Sequence, residues 1–587
     1  MLKASPSEVF MKTVLSWLKN YKKEAFFAPF FKLTEACFEL FVPLVMADII
    51  DRGIVDGNTR LIIGKGAVLV LLAAAGLAVA ITAQYFAAKA AVGVSGSLRR
   101  RLFSRIMEME ASEVDRNGTS TLITRMTSDI NQVQTGINMS LRLLLRSPII
   151  VFGAMIMAFT IDVPSALIFC VTVPILAFVV IGITRFSIPM FSKVQKLLDK
   201  VMLSSRENLT GVRVIRAFNL QEEETESFIL KNDTLKKEQI HASNFTALTN
   251  PVTFIIVNAA TMLLIYKGAL RVNIGAISQG QAVAILNYMS QILVELLKLT
   301  NLIVTITKSL ASAQRVSSVL EKEDDGCKKA GPASDDPSSG KESSFVSFDH
   351  VSLKYSQGSE EALSDISFSV EKGMSVGVIG GTGSGKSSLV NMISGMYEAS
   401  EGVVRVMGED AAHTDKVKLR DHIGMVPQKA VLFKGSIRSN MLIGNGSATD
   451  DEMKECLKKA QAWDFVSEKG GLDAEVLQNG KNFSGGQRQR LTIARALVRK
   501  PEILILDDST SALDFLTEKN IKEEIAKIKD TTVFIVSQRA SSVMNADMII
   551  VLDDGRVAGI GRHEELLKSC KVYDEIYYSQ FERKGSD

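Results

Sequence analysis

A glycine-rich run at residues 380–387 is the clearest chemical feature of this chain. It reads GGTGSGKS and fits the phosphate-binding pattern GxxxxGK[ST]. Only glycine lets several backbone N–H groups come close to a phosphate, and a helix starting there adds a favourable dipole. The sequence therefore predicts phosphate contacts from Gly380, Gly381, Thr382, Gly383, Ser384, Gly385, Lys386, Ser387 and Ser388.

A metal-binding carboxylate follows further along the chain. The apolar run Ile503–Leu506 is typical of a buried strand, and Asp507 comes directly after it. In such a site the lysine of the loop reaches the β- and γ-phosphates, while the hydroxyl after it binds Mg²⁺. We therefore expect Lys386 to hold the phosphates of ATP, and Ser387 and Asp507 to lie at the Mg²⁺ ion.

The first half of the chain is much more apolar than an ATP site requires. Of 587 residues, 46% are hydrophobic and 23% are charged, which fits a membrane half joined to a soluble half. A helix of about 20 residues crosses a hydrocarbon core of about 30 Å. The sequence predicts six such spans, at residues 26–50, 66–91, 142–160, 163–184, 250–270 and 280–305.

The links between these spans predict an orientation. Short links, such as Ile161–Val163, are expected outside, whereas the basic N-terminus and the long basic loops are expected in the cytoplasm. This predicts a multi-pass protein of the cell inner (plasma) membrane with both termini and the ATPase domain cytoplasmic. Helical periodicity at 95–111 and 191–209 indicates that membrane helices continue into the cytoplasm, with separate amphipathic surface helices as the alternative.

Charge and cysteine content exclude two other classes of protein. A net charge of +3 is small for this length and argues against a nucleic-acid partner. The five cysteines are odd in number and scattered, which fits neither a disulfide framework nor a zinc site.

A further motif points to one family. Residues 482–490 read NFSGGQRQR, with a serine and two glycines at a predicted helix start. Together with VPQ at 426–428, LD at 506–507 and SALD at 511–514, this order of motifs resembles the ABC transporter ATPase domain. With the six spans, nearly the whole chain resembles an ABC exporter half-transporter. The predicted architecture is a six-helix all-α transmembrane domain at 1–320 with long cytoplasmic extensions, a flexible linker at 321–344 and an α/β P-loop ATPase domain at 345–583.

The resemblance also implies roles for individual residues. Tyr355 would stack on adenine, although an aromatic residue after alternating apolar positions also fits a plain strand residue. Gln428 would sense the metal and the γ-phosphate while contacting the membrane helices, and Asp514 would couple two ATP sites. The signature residues that would cap the γ-phosphate of an ATP bound by the other subunit are Ser484, Gly485, Gly486 and Gln487.

Two catalytic positions depart from the family pattern. Asp508 stands where a glutamate orients the attacking water, and Gln538 stands where a histidine contacts the γ-phosphate. Aspartate is shorter by one methylene, and a misplacement of about 1 Å can lower a rate by about a hundredfold. Glutamine cannot become a cation. Tolerated drift is the alternative, but both changes beside intact motifs resemble the degenerate subunit of heterodimeric bacterial multidrug exporters. This implies a second, non-identical half-transporter and weak ATPase activity alone.

The sequence defines the transported substrate less sharply. Polar residues share one face of the last predicted span at Asn287, Gln291 and Glu295, and of the first span at Lys32, Glu35 and Glu39. Because polar groups in hydrocarbon are costly, they should face a cavity or each other. A pathway for amphipathic small molecules is one interpretation, and local Glu295–Lys298 and Lys32–Glu35 pairing is the other. Multidrug export leads, followed by a lipid or lipopeptide flippase and a non-transporting regulator.

Overall fold

The computed structural model describes residues 16–320, 344–355, 360–528 and 530–581. The described residues divide into two compact units, one comprising residues 16–108 and 119–320 and the other residues 109–118 and those from 344 to 581. The predicted linker lies outside the described residues, except for Ser344. The short segment 109–118 therefore belongs with the second unit, although it follows the first long helices in sequence.

The described part of the first unit is built from helices. In chain order the α-helices up to residue 320 are α1 (Lys22–Asp48), α2 (Thr59–Glu108), α3 (Ala111–Asn117, in the second unit), α4 (Thr119–Thr124), α5 (Ile130–Leu143), α6 (Arg146–Ile161), α7 (Val163–Thr210), α8 (Val212–Ala217), α9 (Gln221–Ala247), α10 (Thr249–Asn273) and α11 (Gln279–Leu320). A 3₁₀ turn at Lys19–Tyr21 and π-helical turns at Ile49–Ile54 and Arg125–Asp129 adjoin them.

Five of the described helical runs are long and apolar enough to cross a membrane. They are Thr59–Glu108, Thr119–Ile161, Val163–Thr210, Gln221–Asn273 and Gln279–Leu320. The remaining predicted span forms α1, but every window of 18 residues within α1 contains Lys32, Glu35 and Glu39. Within the unit, all three charges have partners of opposite sign. This pairing lowers the cost of placing α1 in hydrocarbon, so α1 remains the predicted first span.

Helices α2 and α7 continue well beyond the predicted spans. α2 has 50 residues and α7 has 48. At 1.5 Å per residue, each is about 70–75 Å long, more than twice the thickness of a hydrocarbon core. The predicted helical extensions are confirmed, and separate amphipathic helices in these stretches are ruled out. The predicted tight turn at Ile161–Val163 is also confirmed, because Asp162 alone separates α6 from α7 and caps α7 through the N–H of Ser165.

Small residues on α2 and large ones on α11 hold the first unit together. Buried positions on α2 recur every three or four residues and include Ala83, Ala87, Ala90, Ala91, Val94 and Ser95, a pattern that permits close helix packing. Tyr288 of α11 is fully buried, and its hydroxyl donates to the carbonyl oxygen of Leu40 on α1 at 2.6 Å. These contacts fix α11 against α1.

The second unit contains a parallel-rich sheet and an antiparallel sheet. The strands are β1 (Val346–Leu353), β2 (Leu363–Val370), β3 (Ser375–Gly380), β4 (Glu401–Val406), β5 (Glu409–Asp410), β6 (Ile423–Val426), β7 (Gly435–Ser436), β8 (Glu475–Val476), β9 (Ile503–Asp507), β10 (Thr532–Ser537), β11 (Met548–Asp553) and β12 (Arg556–Gly561). The larger sheet has the order β12-β11-β3-β10-β9-β6, the antiparallel sheet β2-β1-β4-β5, and β7 pairs with β8.

Helices cover these sheets, as expected for an α/β domain. They are α12 (Lys386–Ile393), α13 (Lys416–Asp421), α14 (Ile437–Leu442), α15 (Asp450–Lys459), α16 (Trp463–Glu468), α17 (Gly485–Val498), α18 (Phe515–Ala526), α19 (Ala540–Val543), α20 (His563–Ser569) and α21 (Lys571–Tyr578), with short 3₁₀ turns at Gly471–Asp473 and Gln478–Gly480.

Three neighbouring strands bring the phosphate machinery to one edge of the larger sheet. β10 lies between β3 and β9 and runs parallel to both. Val536 is paired with Asp507, and Ser537 is paired with Ile379, so the carboxyl ends of the three strands are aligned. Ligands of such sheets bind beyond these ends. The predicted α/β domain is confirmed, and the phosphate loop meets Asp507 there.

Candidate functional site

The phosphate loop joins β3 to α12 and has a backbone that requires glycine. Gly383 and Gly385 have φ values of 85° and 93°, in the left-handed region that side chains disfavour. A Cβ at Gly385 would lie only 2.7 Å from the carbonyl oxygen of Ala362. The loop can therefore keep its N–H groups close to a phosphate only with these residues.

The side chain of Lys386 folds back onto the phosphate loop. Its side-chain nitrogen Nζ donates to the carbonyl oxygens of Gly380 at 3.0 Å and Gly381 at 2.5 Å. Burial lowers the pKa of Lys386, and the nearby carboxylates of Asp508 and Asp507 oppose that shift. The ammonium group is thus held where the β- and γ-phosphates are expected, and phosphate oxygens can take the place of the carbonyls.

Ser387 and Asp507 offer oxygen atoms suited to Mg²⁺. The Ser387 hydroxyl donates to Asp507 Oδ1 at 3.0 Å, and Asp507 is buried. Burial raises the pKa of Asp507, an effect that Ser387 and Lys386 oppose and Asp508 reinforces. Mg²⁺ prefers one or two protein oxygens together with phosphates and water. The donor set fits that ion, which would neutralise phosphate charge when bound.

The two departures from the family pattern lie in the same cavity as these groups. The Asp508 backbone has φ of 44°, a left-handed conformation that aspartate tolerates. Its Oδ2 accepts a hydrogen bond from Gln428 Nε2 at 3.4 Å, and Gln538 Oε1 accepts one from Thr382 Oγ1 at 3.5 Å. Both contacts are long, so neither side chain is held tightly. The cavity has a volume of about 290 Å³.

Tyr355 lies at the mouth of this cavity, two residues beyond the end of β1. Its ring is half exposed, its hydroxyl is 2.6 Å from Ser388 Oγ, and Tyr397 meets it edge to face at a centroid distance of 5.0 Å. A strand residue of the core would be buried. The geometry therefore favours the adenine-stacking role over the plain strand role.

The signature residues form a helix start that is separate from the phosphate loop. Ser484 caps α17 and exchanges hydrogen bonds with Gln487 in a capping box, its Oγ accepting from the Gln487 N–H at 3.3 Å. Gly485 lines a second cavity, of about 570 Å³. The two cavities share Gln428 alone among their lining residues. Gln428 thus lies between the cavity of the phosphate loop and the cavity of the signature residue Gly485.

Asp514 lies on an exposed surface beside the signature. It caps α18 by accepting a hydrogen bond from the Thr517 N–H at 3.0 Å, and this bond lowers the pKa of Asp514. The next two residues, Phe515 and Leu516, are 76% and 66% exposed. Large apolar side chains side by side at that exposure mark a surface that another surface can cover.

A second polar site lies among the helices of the first unit. Arg146, the first residue of α6, is 6% exposed, and its guanidinium contacts carboxylates from two other helices. Nη1 donates to Glu295 Oε1 of α11 at 2.7 Å, and Nη2 donates to both oxygens of Glu39 of α1 at 2.7 Å. Sequence reasoning missed Arg146, although an arginine inside the predicted span 142–160 is itself a signal.

The structure shows local ion pairs in both polar stripes and a cavity beside one of them, whereas the pathway for amphipathic molecules remains a prediction. Lys32 pairs with Glu35, and Lys298 pairs with Glu295 at 2.8 Å, as the local-pairing interpretation predicts. The stripe also faces a cavity, because one of about 690 Å³ is lined by Asn287, Gln291, Glu295, Glu39, Arg146 and Lys298. Lys32 and Glu35 are not among the residues that line it. The charged cluster is thus partly structural and partly exposed to a space large enough for a ligand.

The helical membrane unit and the P-loop ATPase unit together define an ATP-driven membrane exporter. Two family models match, one described as the ABC transporter transmembrane region at residues 25–296 and one described as ABC transporter at residues 363–511. The chain belongs to the ABC transporter family and is an ABC exporter half-transporter with a transmembrane domain and an ABC ATPase domain.

Known relatives cover nearly the whole chain. It is 36% identical to the uncharacterized ABC transporter ATP-binding protein YfiB of Bacillus subtilis, over 98% of this chain and all of YfiB. It is 30% identical to YgaD of the same organism, named as a candidate multidrug export ATP-binding/permease protein, over 97% and 99% of the two chains. A solved bacterial Atm1-family ABC exporter with ATP bound has the same fold, with a TM-score of 0.78, 22% identity and coverage of 97% and 99%.

Proposed function

We propose that this chain is one subunit of a heterodimeric ATP-driven exporter of amphipathic compounds in the plasma membrane, with its termini and ATPase domain in the cytoplasm. Its own phosphate loop forms a slow site that mostly retains ATP. Its intact signature, residues 484–487, completes the competent site of a second, non-identical half-transporter. The observation that carries the proposal is the pair Asp508 and Gln538 inside an otherwise complete ATP–Mg²⁺ site.

Slow hydrolysis at this chain's own loop follows from the reach and charge of two side chains. The Asp508 carboxylate is turned toward Gln428, and a glutamate would extend one methylene further into the cavity. Gln538 stays neutral and offers less stabilisation to the charge that develops on the transferred phosphoryl group. Lys386, Ser387 and Asp507 still supply what ATP–Mg²⁺ needs for binding.

Two observations support the need for a second chain. Gly485 of the signature lines a different cavity from the phosphate loop, and no signature residue lines the cavity of that loop, so the chain does not offer both to one ATP molecule. Phe515 and Leu516 are exposed next to Asp514, the residue expected to couple two sites. A partner covering this surface would bury both side chains. In a head-to-tail pair, each phosphate loop then faces the other chain's signature.

The decisive experiment compares single changes in the purified two-chain transporter. Ser484→Ala removes a donor for the γ-phosphate bound across the interface and should lower ATP turnover by about 10²–10³-fold. Asp508→Asn should lower it by only a few-fold, since that carboxylate serves the slow site. Equal losses from the two changes would mean two equivalent sites, and the heterodimer proposal would fail.

Ser436→Ala is the matched control for Ser484→Ala. Ser436 caps α14 with the same kind of capping box and, like Ser484, lines neither cavity, but its helix carries no signature residue. Loss of either cap should destabilise its helix by about 1 kcal/mol. Turnover should therefore stay near wild type in Ser436→Ala. A similar fall in both variants would assign the effect of Ser484→Ala to helix stability alone.

The class of substrate can be tested separately from the asymmetry of the sites. Amphipathic drugs should stimulate the ATPase of the purified pair, in line with the name of its relative YgaD. Stimulation by lipids or lipopeptides but not by drugs would favour a flippase. Neither stimulation nor flux would favour a regulator that holds ATP without transporting anything.

A further inference from the structure

The cavity between α1, α6 and α11 contains an inner and an outer pair of charges. The inner pair is Arg146 and Glu295, whose side chains are 7% and 4% exposed and lie 2.7 Å apart. The outer pair is Glu39 and Lys298, each with a side chain that is 43% exposed. Glu39 contacts Arg146, and Lys298 contacts Glu295, so the four groups form one chain of ionic contacts.

Either outer charge can move out of these ionic contacts without leaving an inner charge unpaired. If Glu39 turns away, Arg146 keeps Glu295 at 2.7 Å and Glu35 at 3.9 Å. If Lys298 turns away, Glu295 keeps Arg146 and the hydroxyl of Ser147 at 2.7 Å. A buried charge without a partner is strongly destabilising, and neither movement creates one. Glu39 and Lys298 are therefore the displaceable groups.

The balance of charge selects the kind of ligand. Lys32, Arg146 and Lys298 are matched by three carboxylates, Glu35, Glu39 and Glu295, so the cluster is neutral. A singly charged ligand would bring net charge into the membrane interior and would use only one of the two displaceable groups. A ligand with both an ammonium and an acidic group can use Glu39 and Lys298 together and leave the site neutral.

We infer that this cavity binds zwitterionic amphipaths, with Glu39 pairing with the cationic group and Lys298 with the anionic group. The inference rests on the proposed export of amphipathic compounds and narrows it to one chemical class. Val42, Pro43 and Met46 line the same cavity and offer an apolar wall for the rest of the molecule. Gln291 Oε1 is buried there, accepts no hydrogen bond from any described residue, and is available to a donor such as an ammonium N–H.

Three fluorescent probes that share the dansyl-lysine skeleton and differ in net charge test this inference. Nε-dansyl-lysine is a zwitterion, its methyl ester is a cation, and its Nα-acetyl derivative is an anion. Binding is measured by the rise in dansyl fluorescence with the full transporter in lipid nanodiscs, without ATP. Wild type should bind the zwitterion about tenfold more tightly than either derivative. Because no turnover is measured, failure here is distinguishable from failure of the two-site proposal.

Two substitutions should change the preference in opposite directions. Glu39→Gln keeps an acceptor for Arg146 but removes the charge, so it should abolish the preference for the zwitterion over the anion. Lys298→Gln should abolish the preference for the zwitterion over the cation. Glu238→Gln is the control, because it removes an ion-paired carboxylate, bonded to Lys193, that does not line this cavity. It should leave all three affinities unchanged.

Each outcome decides the matter. Tightest binding of the ester in wild type would make the cavity a cation site and overturn the inference. Equal loss of all three probes in both variants would assign Glu39 and Lys298 to structure alone, and also overturn it. If Glu39→Gln does not accumulate in the membrane, Lys298→Gln with the zwitterion and ester tests the same point. If a short-chain phosphatidylcholine competes with the zwitterionic probe, the natural ligand is a lipid headgroup. If it does not compete, the natural ligand is a free zwitterion.

Discussion

Replacing Arg146 with methionine tests whether the charge cluster holds the membrane unit together. Methionine keeps most of the length of arginine and adds no charge. The change removes every contact from Arg146 to Glu39 and Glu295. Since these contacts join α6 to α1 and α11, their loss should loosen three helices at once.

The expected loss of stability follows from what each carboxylate keeps. Removing one partner of a buried ion pair typically costs about 3–5 kcal/mol. Glu39 is half exposed and can be hydrated, Glu35 keeps Lys32, and Glu295 keeps Lys298 and Ser147. No buried carboxylate is left without a partner, so we expect a value near the lower end, about 3 kcal/mol. Glu295→Gln should cost less, because Arg146 keeps Glu39 and Glu35.

A double substitution separates pairing from simple packing. In Arg146→Met/Glu295→Gln the under-paired buried carboxylate is gone, so the double variant should be more stable than Arg146→Met alone. Coupling of about 0.5–3 kcal/mol is typical of such contacting pairs. The free energy of unfolding of each purified variant in nanodiscs, measured by denaturant titration, gives this order of stability. Simple additivity of the two single effects would refute the role given to this pair.

Three further outcomes are expected at the nucleotide site. Asp508→Glu together with Gln538→His should raise the ATP turnover of the purified pair only modestly, because the partner's signature facing this site is expected to be weakened as well. A rise to the rate of an ordinary symmetric exporter would contradict the reasoning. Tyr355→Ala should weaken ATP binding by about tenfold, in line with about 1–3 kcal/mol for stacking of one base, whereas Tyr355→Phe should keep most of it. Because burial raises the pKa of Asp507, acidification should weaken Mg²⁺-dependent ATP binding at a higher pH than it would with an ordinary aspartate. Protonation of Asp507 at that pH should also stabilise the nucleotide-free fold. Asp507→Asn should remove this pH dependence of ATP binding.

The fold of the ATPase domain could be predicted because its function depends on local backbone chemistry. A loop that must cradle phosphates needs glycines at fixed spacing, and the observed φ values at Gly383 and Gly385 show why. The strand that ends in Asp507 is continuously apolar because it is buried on both faces. Each of these requirements involves only a short segment of the chain, so a single sequence is enough to predict it.

The charge cluster in the membrane unit could be predicted only in part. Pairs such as Lys32–Glu35 and Glu295–Lys298 lie one helical turn apart, and spacing alone predicts them. Arg146 lies 149 residues from Glu295 in sequence, and only the packing of α6 against α11 brings them together. Sequence spacing could not tell which of Glu39 and Glu295 is buried. Only the structure shows that Glu295 is buried with both of its oxygens accepting hydrogen bonds, from Arg146, Ser147 and Lys298.

Under the proposed function, retaining ATP and hydrolysing it depend on different residues of one cavity, so one can be lost without the other. Retention depends on Lys386, Ser387 and Asp507, which are tied to the loop and to each other by bonds of 2.5–3.0 Å. Activation is assigned by the same proposal to positions 508 and 538, whose side chains each make one long contact in the cavity. A change there breaks no strong bond and requires no compensation elsewhere in the domain. Hydrolysis can therefore weaken while binding, and the signature that serves a partner, stay intact.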